Sequence, residues 1–302
     1  MDREALLSEL RQLILTVMPE EGYCGGKAPK VAFSRFDTPQ PTRRCFYQPL
    51  IALVVQGRKR SIVGNTVADY GNGQSSAVAL DLPGIYHITD AAKETPFLSV
   101  SLRLDRQVIA ELLAASPTLS CPAPETSAEP PSVVVADASE ELLEAFIRLV
   151  KLEETPERIS IFAPMITKEI HYLLLSGPQG ACLRHFCANQ PQTPRIVRAL
   201  DWMRTHFSEP LNIPELAERA GMAPSTFHKH FKDLTSLSPI QFQKRLRLHE
   251  AERLMFSEGK TVDSAAFAVG YESPSQFSRE YKRLFGSAPR QDIKKKKTIG
   301  SN

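Results

Sequence analysis

The last hundred residues of this chain carry an internal repeat, and that repeat restricts the fold more than any other feature. The stretch IPELAERAGMAPSTFHKHFKDLTSLSP, residues 213–239, aligns with TVDSAAFAVGYESPSQFSREYKRLFGSAP, residues 261–289. Phe227 matches Phe277, Phe231 matches Tyr281 and Pro239 matches Pro289, each at an offset of 50. Ala217 and Ala266 each stand four residues before a glycine, Gly221 and Gly270; the glycines are offset by 49, so the second turn is one residue longer. A helix-turn-helix explains every match. A small residue lets the first helix cross the second closely, and glycine supplies the positive φ of the tight turn. Pro224 and Pro274 suit the first position of the second helix, where no backbone donor is needed. Ser273 is a good N-cap for the second unit and Ala223 a poor one for the first, a difference of about 1 kcal/mol.

In each second helix the aromatic pair marks a buried face, so the opposite face is free. Ser225, Thr226, His228 and Lys229 lie outward in the first unit, and Ser275, Gln276, Ser278 and Arg279 in the second. These are side-chain types that read base edges: arginine on guanine, glutamine on adenine, serine and threonine on either. Lys232, Lys282 and Arg283 follow one turn on and suit phosphate contacts. Charge supports the same partner. Residues 191–302 hold 19 Lys and Arg against 12 Asp and Glu, whereas residues 1–190 hold 18 against 22. A basic C-terminal part beside a mildly acidic N-terminal part points to a polyanion bound by the former alone. Between the repeats, residues 239–256 (PIQFQKRLRLHEAERLMF) predict a helix of about 27 Å, near the ~34 Å of one DNA turn. Arg245 and Arg247 on it suit phosphate, an acidic partner, or a solvated face.

The N-terminal half reads differently. Residues 3–18 predict an amphipathic helix. From about 29 to 104, short apolar runs separated by Gly, Pro, Asn and Asp (LIALVVQG, SIVGNTVADYG, SSAVALDLPG, PFLSVSLRLD) predict a β-rich barrel or sandwich. Residues 116–132 form a Pro/Ser-rich loop, and helices are predicted at 139–152 and 157–175. In the second, Ile159, Phe162, Ile166, Ile170 and Leu174 make one apolar face, which is expected to pair two subunits. Five cysteines (24, 45, 121, 182 and 187) without a CxxC pair fit free thiols in a reducing cytoplasm. The N-terminus lacks the pattern of a signal peptide, and no eighteen-residue apolar run predicts a membrane span.

The segments RLRLHEAERLM and GYESPSQFSREYKRLFGSAPRQ, with the repeated A-xxx-G turn, resemble the AraC/XylS family of bacterial regulators over residues 194–290. CFYQPLIALVVQGRKR, DLPGIYHIT and PFLSVSLRLD resemble the AraC-type N-terminal regulatory domain. The resemblance implies an α+β multidomain chain: an N-terminal cupin-like β-barrel with flanking helices, then an all-α domain of seven helices with two helix-turn-helix motifs. The implied domains are 1–187 for effector binding and dimerisation, a linker at 188–194, the DNA-binding domain at 195–293 and a disordered basic tail at 294–302. It implies double-stranded DNA, a small-molecule effector and a second copy of the chain as partners, with RNA polymerase a further candidate. It also places Ser225, His228, Lys229, Ser275, Gln276 and Arg279 toward bases or backbone.

Cys45, Tyr47, Gln56, Tyr86 and His87 stand near the barrel strands as candidate effector contacts, each with an equally plain structural role. A metal cupin needs clustered histidines and carboxylates, and residues 29–104 contain a single histidine, His87. No nucleophile elbow is present, and a DNA-repair enzyme with a zinc-held reactive cysteine needs four clustered thiols. No enzyme activity, metal or cofactor is therefore expected.

Overall fold

The computed structural model describes residues 2–63, 66–116, 119, 131, 133–187, 195–235 and 237–299. The proposed linker at 188–194, most of the Pro/Ser-rich loop at 116–132 and Cys121 lie outside them. The chain divides into two compact units, the first holding most of residues 1–193 and the second holding residues 194–302.

The first unit opens with α1 (Arg3–Val17) and continues through β1 (Gly22–Gly25), β2 (Val31–Phe36), β3 (Gln40–Tyr47), β4 (Leu50–Gln56), β5 (Arg58–Val63), β6 (Thr66–Gly71), β7 (Gln74–Val78), β8 (Leu82–Asp90) and β9 (Phe97–Arg103). Next come α2 (Arg106–Ala115), β10 (Val133–Asp137), α3 (Glu140–Lys151), two single 3-10 turns, α4 (Ile159–Ser176) and α5 (Gly180–Cys187). The strands form two sheets, a six-stranded one in the order β1-β2-β9-β4-β7-β10 and a four-stranded one in the order β3-β8-β5-β6. The expected cupin-like architecture is therefore present as two facing sheets rather than a ring closed by hydrogen bonds. The apolar cluster of Phe36, Val54, Tyr70, Ile88 and Phe97 draws on both sheets and fills the space between them.

Burial along β4 shows how the layers stack. Ile51, Leu53, Val54 and Val55 are all fully buried, so both faces of this strand are covered rather than one. One face meets the intersheet core; α1 packs on the other, with Leu6, Leu10 and Ile14 fully buried. α3 lies against α1 and α4 against α3. Ser139 caps α3 by accepting from the Leu142 amide, and Glu140 and Glu141 at its start with Arg148 and Lys151 at its end follow the helix dipole.

The apolar face predicted to pair subunits is part of this packing. Ile166, Ile170 and Leu174 are buried within the unit, and Ile161, Phe162, Met165 and Tyr172 are the exposed apolar residues of α4. The sequence period located a helix correctly but could not say which of two apolar faces the protein covers itself.

Two buried polar groups tie loops to this frame. Glu153 accepts hydrogen bonds from the amides of Lys27 and Ala28, at 2.7 and 3.1 Å. Burial, then the Glu153 charge, pushes the Cys24 thiol upward, which makes it a poor nucleophile. His171 is fully buried; its Nε2 accepts from the Asp105 amide at 2.8 Å, so Nδ1, 2.7 Å from the Thr167 carbonyl, carries the proton and donates.

Burial holds the His171 imidazole below its ordinary pKa, against weaker opposing effects of the Thr167 hydrogen bond and Asp105, with Lys30 acting in the same direction as burial. The unfolded chain therefore binds the proton more readily. The stability that neutral His171 gives is complete above about pH 6.5 and lost as pH falls below it. The melting temperature of the first unit should decline between about pH 7 and 5.5. His171→Gln should flatten that decline; an unchanged slope in the variant would show that another group governs it.

Candidate DNA interface and effector site

The second unit consists of α6 (Arg195–Thr205), α7 (Ile213–Arg219), α8 (Pro224–Thr235), α9 (Pro239–Ser257), α10 (Val262–Ala268), α11 (Pro274–Phe285) and α12 (Pro289–Ile299). These are the seven helices the resemblance implies. α12 runs on through the tetralysine, where an unstructured tail was expected. α7–α8 and α10–α11 are the two helix-turn-helix units. Ala217 and Ala266 are fully buried at the crossings. Gly221 and Gly270 take φ of +61° and +85°. Ser273 caps α11 by accepting from the Gln276 amide, and Gly286 closes its end in the left-handed region. Pro224 opens α8, and Phe227 donates its amide to the Ala223 carbonyl without a side-chain cap.

The recognition helices present the faces anticipated for them. Phe227 and Phe231 on α8, and Phe277 and Tyr281 on α11, are fully buried. Ser225, Thr226, His228, Lys229 and Lys232 are exposed on α8; Ser275, Gln276, Arg279, Lys282 and Arg283 are exposed on α11, with Ser278 half-buried. The charges fall into two groups. Arg219, Arg253 and Lys244 on the supporting helices pair with Glu215, Glu250 and Glu280. Lys229, Lys232, Arg279, Lys282 and Arg283 on the recognition helices form no ion pair among the described residues. Cations left unpaired on a convex helix face are available to phosphate oxygens and base edges. Gln276 is the exception to free reading, because its Nε2 donates to Glu280 at 3.3 Å. Glu280 also accepts from Lys244 and Tyr271. These hydrogen bonds hold its carboxyl below the usual range against its burial.

Arg247 is the residue whose role differs most from the sequence reading. It is half-buried and turned toward main-chain carbonyls. It donates to the carbonyls of Phe207 (2.7 Å), Gly270 (2.8 Å), Ser208 (3.2 Å) and Glu209 (2.9 Å). Arg195 does a lesser version of this in the first unit, donating to the Gly221 carbonyl at 3.0 Å. So in each repeat an arginine from the preceding helix holds the carbonyl of the turn glycine. Sequence alone does not single out the pair: Arg195 and Arg247 stand 26 and 23 residues before those glycines, and at the repeat offset of 50 Arg195 falls opposite Arg245.

Of the five candidate effector residues, the strand pleat sets His87 apart and a main-chain hydrogen bond engages Gln56. Cys45 and Tyr47 on β3 lie two residues apart on one face, with Tyr47 buried. Tyr86 shares its face of β8 with buried Ile88 of the intersheet core. His87 is on the opposite face, close enough to exposed Asp69 to lower its pKa, though less than Arg60 does. Gln56 is used structurally, donating to the Pro96 carbonyl at 2.9 Å. Lys59, Ser61 and Tyr70, which the sequence reading did not select, stand with the inward group. No group of three or more His, Cys, Asp or Glu positioned to hold a metal occurs among the described residues. No described helix is long and apolar enough to cross a membrane.

Two sheets with helical flanks, joined in one chain to a doubled helix-turn-helix, define a DNA-binding regulator of transcription. Residues 27–182 match the family of AraC-type transcriptional regulator N-termini, and residues 216–295 match a helix-turn-helix domain family. The chain belongs to the AraC family of transcriptional regulators. It is 32% identical over 103 residues to the HTH-type transcriptional activator RhaS of Yersinia pestis (strain Pestoides F). RhaS of Yersinia pseudotuberculosis serotype O:3 (strain YPIII) matches to the same degree. The aligned region spans 34% of this chain and 38% of those relatives. Among solved structures, ToxT from Vibrio cholerae O395 bound to (E)-4-(8-methylnaphthalen-1-yl)but-3-enoic acid has a TM-score of 0.64 at 10% identity, covering 90% of this chain and 98% of that one. Unsaturated fatty acid bound ToxT from Vibrio cholerae strain SCE256 gives 0.56 at 9%, covering 91% and 97%. These two likenesses are of fold.

Arg247→Ala would leave four carbonyls without their shared donor. It should cost the second unit about 3 kcal/mol of unfolding free energy, read by chemical denaturation. Arg195→Ala, with one such bond, should cost about 1 kcal/mol. Equal costs would contradict the unequal roles assigned here.

Proposed function

We propose that this protein is a cytoplasmic, ligand-responsive regulator that binds specific DNA sites as a homodimer, with four helix-turn-helix units per dimer. The observation that carries the DNA reading is the pairing pattern on α8 and α11. Their cations are unpaired, while Arg219, Lys244 and Arg253 on the supporting helices are each held by a glutamate. Arg279 and Ser275 are the principal base readers of the second unit; Ser225, His228 and Lys229 serve the first, and Thr226 and Ser278 flank them. Lys232, Lys282 and Arg283 hold phosphates. The first unit, with shorter and weaker readers and no side-chain cap, contributes less to base choice. RNA polymerase is a further candidate partner. No catalytic step is assigned to any residue.

The effector reading is supported by the inward group of Cys45, Tyr47 and Tyr86, and by the two ToxT structures of the same fold that carry organic ligands. Gln56 and His87 are not retained in it. The dimer reading rests on α4. Its exposed residues Ile161, Met165 and Tyr172 follow in steps of four and seven, a single stripe along the helix, with Phe162 beside it.

DNase footprinting tests the base contacts. Arg279→Ala should weaken specific binding by about 1–3 kcal/mol and relax the preference at one base pair; a variant that footprints like its parent would remove Arg279 from the readers. Lys232→Ala should weaken all sequences alike and reduce the salt slope by about one. Sedimentation should give a dimer at micromolar concentration and a monomer for Met165→Glu. A parent chain that sediments as a monomer, with and without DNA, would rule out the dimer.

A further inference from the structure

The inward face of the four-stranded sheet carries a charge that a barrel core does not need. Along β5, Arg58 and Arg60 are exposed, while Ser61 and Val63 are buried and Lys59, on their face, is half-buried. An ammonium group partly withdrawn from water is costly unless an anion or hydrogen-bond acceptor meets it. Arg60 next to it has such a partner, donating through two nitrogens to Asp69 at 2.6 and 2.8 Å. Lys59 forms no ion pair among the described residues. Its Nζ instead stands 4.4 Å from the centre of the Tyr86 ring and 5.9 Å from that of Tyr47.

Phenol hydroxyls gather around the same place. The Tyr47 hydroxyl joins Ser61 Oγ at 3.1 Å, and Ser61 Oγ joins the Tyr70 hydroxyl at 3.3 Å. The Tyr86 hydroxyl meets that of Tyr23, which reaches over from β1, the edge strand of the facing sheet. Tyr23 is 48% exposed, so this end of the cluster meets solvent. Its ring also packs edge-on against Phe36 at 4.9 Å, and Phe36 belongs to the apolar intersheet cluster with Val54, Ile88 and Phe97. The result is the Lys59 ammonium group and several hydroxyls at the rim of an apolar core, with aromatic walls between and the Arg43 guanidinium 5.9 Å from the far wall, Phe36.

We propose that Lys59 anchors the carboxylate of a small organic acid whose aryl or alkyl body lies against Tyr86, Tyr47 and Phe36. This rests on the reading above that the first unit takes a small effector, and it names the class. Of the described cations, Lys59 alone stands among the phenols, and Arg43 lies over Phe36 instead. A single ammonium group at the phenols matches a monoanion, whereas a phosphate ester, with about two charges, would call for a second cation facing the same point. Phenol donors complete the carboxylate's hydrogen bonds, and the Lys59 charge, which no carboxylate of the described residues meets, becomes paired in the complex.

The test uses the full chain, with benzoate and octanoate as acids and benzamide and octanamide as neutral counterparts. Binding is read by calorimetry and by the melting temperature, which a ligand of the folded state raises. At least one acid should bind at least tenfold more tightly than its amide, and Lys59→Met should remove that preference while leaving DNA affinity without ligand unchanged. If the amides bind as well as the acids, or the Lys59→Met protein keeps the preference, the acid assignment is overturned while the effector reading stands. If neither acid binds at millimolar concentration, the acid assignment is also overturned. The effector reading then falls only if other classes of small molecule likewise fail to bind.

Discussion

The guanidinium of Arg247 is where the DNA-binding half is held together. Four carbonyls converge on it, three from the segment after α6 and one from the turn of the second helix-turn-helix. Carbonyls at a helix end and in a tight turn are the acceptors that a fold leaves over once its helices are built. A planar group with five donors can satisfy several of them together, which an ammonium group cannot. Gln243, one turn earlier on α9, adds a fifth link by donating to the Glu209 carbonyl at 2.7 Å. The connecting helix is therefore a structural post, joined on one side to the first repeat and on the other to the second. Its N-terminus is fixed by a reciprocal cap between Ser238 and Gln241.

The regulatory half rests on a different constraint. β4 is buried on both faces, so the six-stranded sheet is held between α1 and the opposing sheet. The four-stranded sheet has one covered face and one outer face, and polar groups appear on both. Arg60 and Asp69 pair on its outside, while Lys59, Ser61 and the tyrosines gather inside. The facing sheet supplies Phe36, Val54 and Phe97 to the intersheet core, and this contrast makes the interior asymmetric. A ligand entering it would meet a charge and most of the hydroxyls on one wall and Phe36, Val54 and Phe97 on the other, with the Tyr23 hydroxyl at the rim.

Most of the C-terminal architecture was legible because it is written twice. Ala217 with Gly221 and Ala266 with Gly270 mark the same crossing and turn, and two copies in register leave few other folds open. The roles of Arg247 and Gln276 were not legible. Whether an arginine faces phosphate or four carbonyls depends on a loop 38–40 residues away, and local pattern does not contain that distance. In the N-terminal half, the β texture and the helices at 139–152 and 157–175 could be read from apolar spacing. Strand order, β10 and the split into two sheets could not, since β7 finds its partner β10 more than 50 residues later in the chain. The effector candidates were chosen by residue type. The pleat then kept Cys45, Tyr47 and Tyr86 on one face and sent His87 to the other, and Lys59 was overlooked because a lysine beside two arginines reads as surface.

The post formed by α9 has a consequence for the promoters such a protein can use. At about 1.5 Å and 100° per residue, one residue added to α9 would swing the second recognition helix by more than a quarter turn. One base pair added to the site rotates the groove by only about 35°. The two motions do not compensate, and the four hydrogen bonds of Arg247 tie α9 to the turn of the second unit. On the proposed reading, with both units on one DNA face, the chain would act as a ruler of fixed length laid along the DNA. Its target sites can vary in letters while their internal spacing is set by the protein, and new regulatory sites would arise by base substitution far more readily than by insertion or deletion.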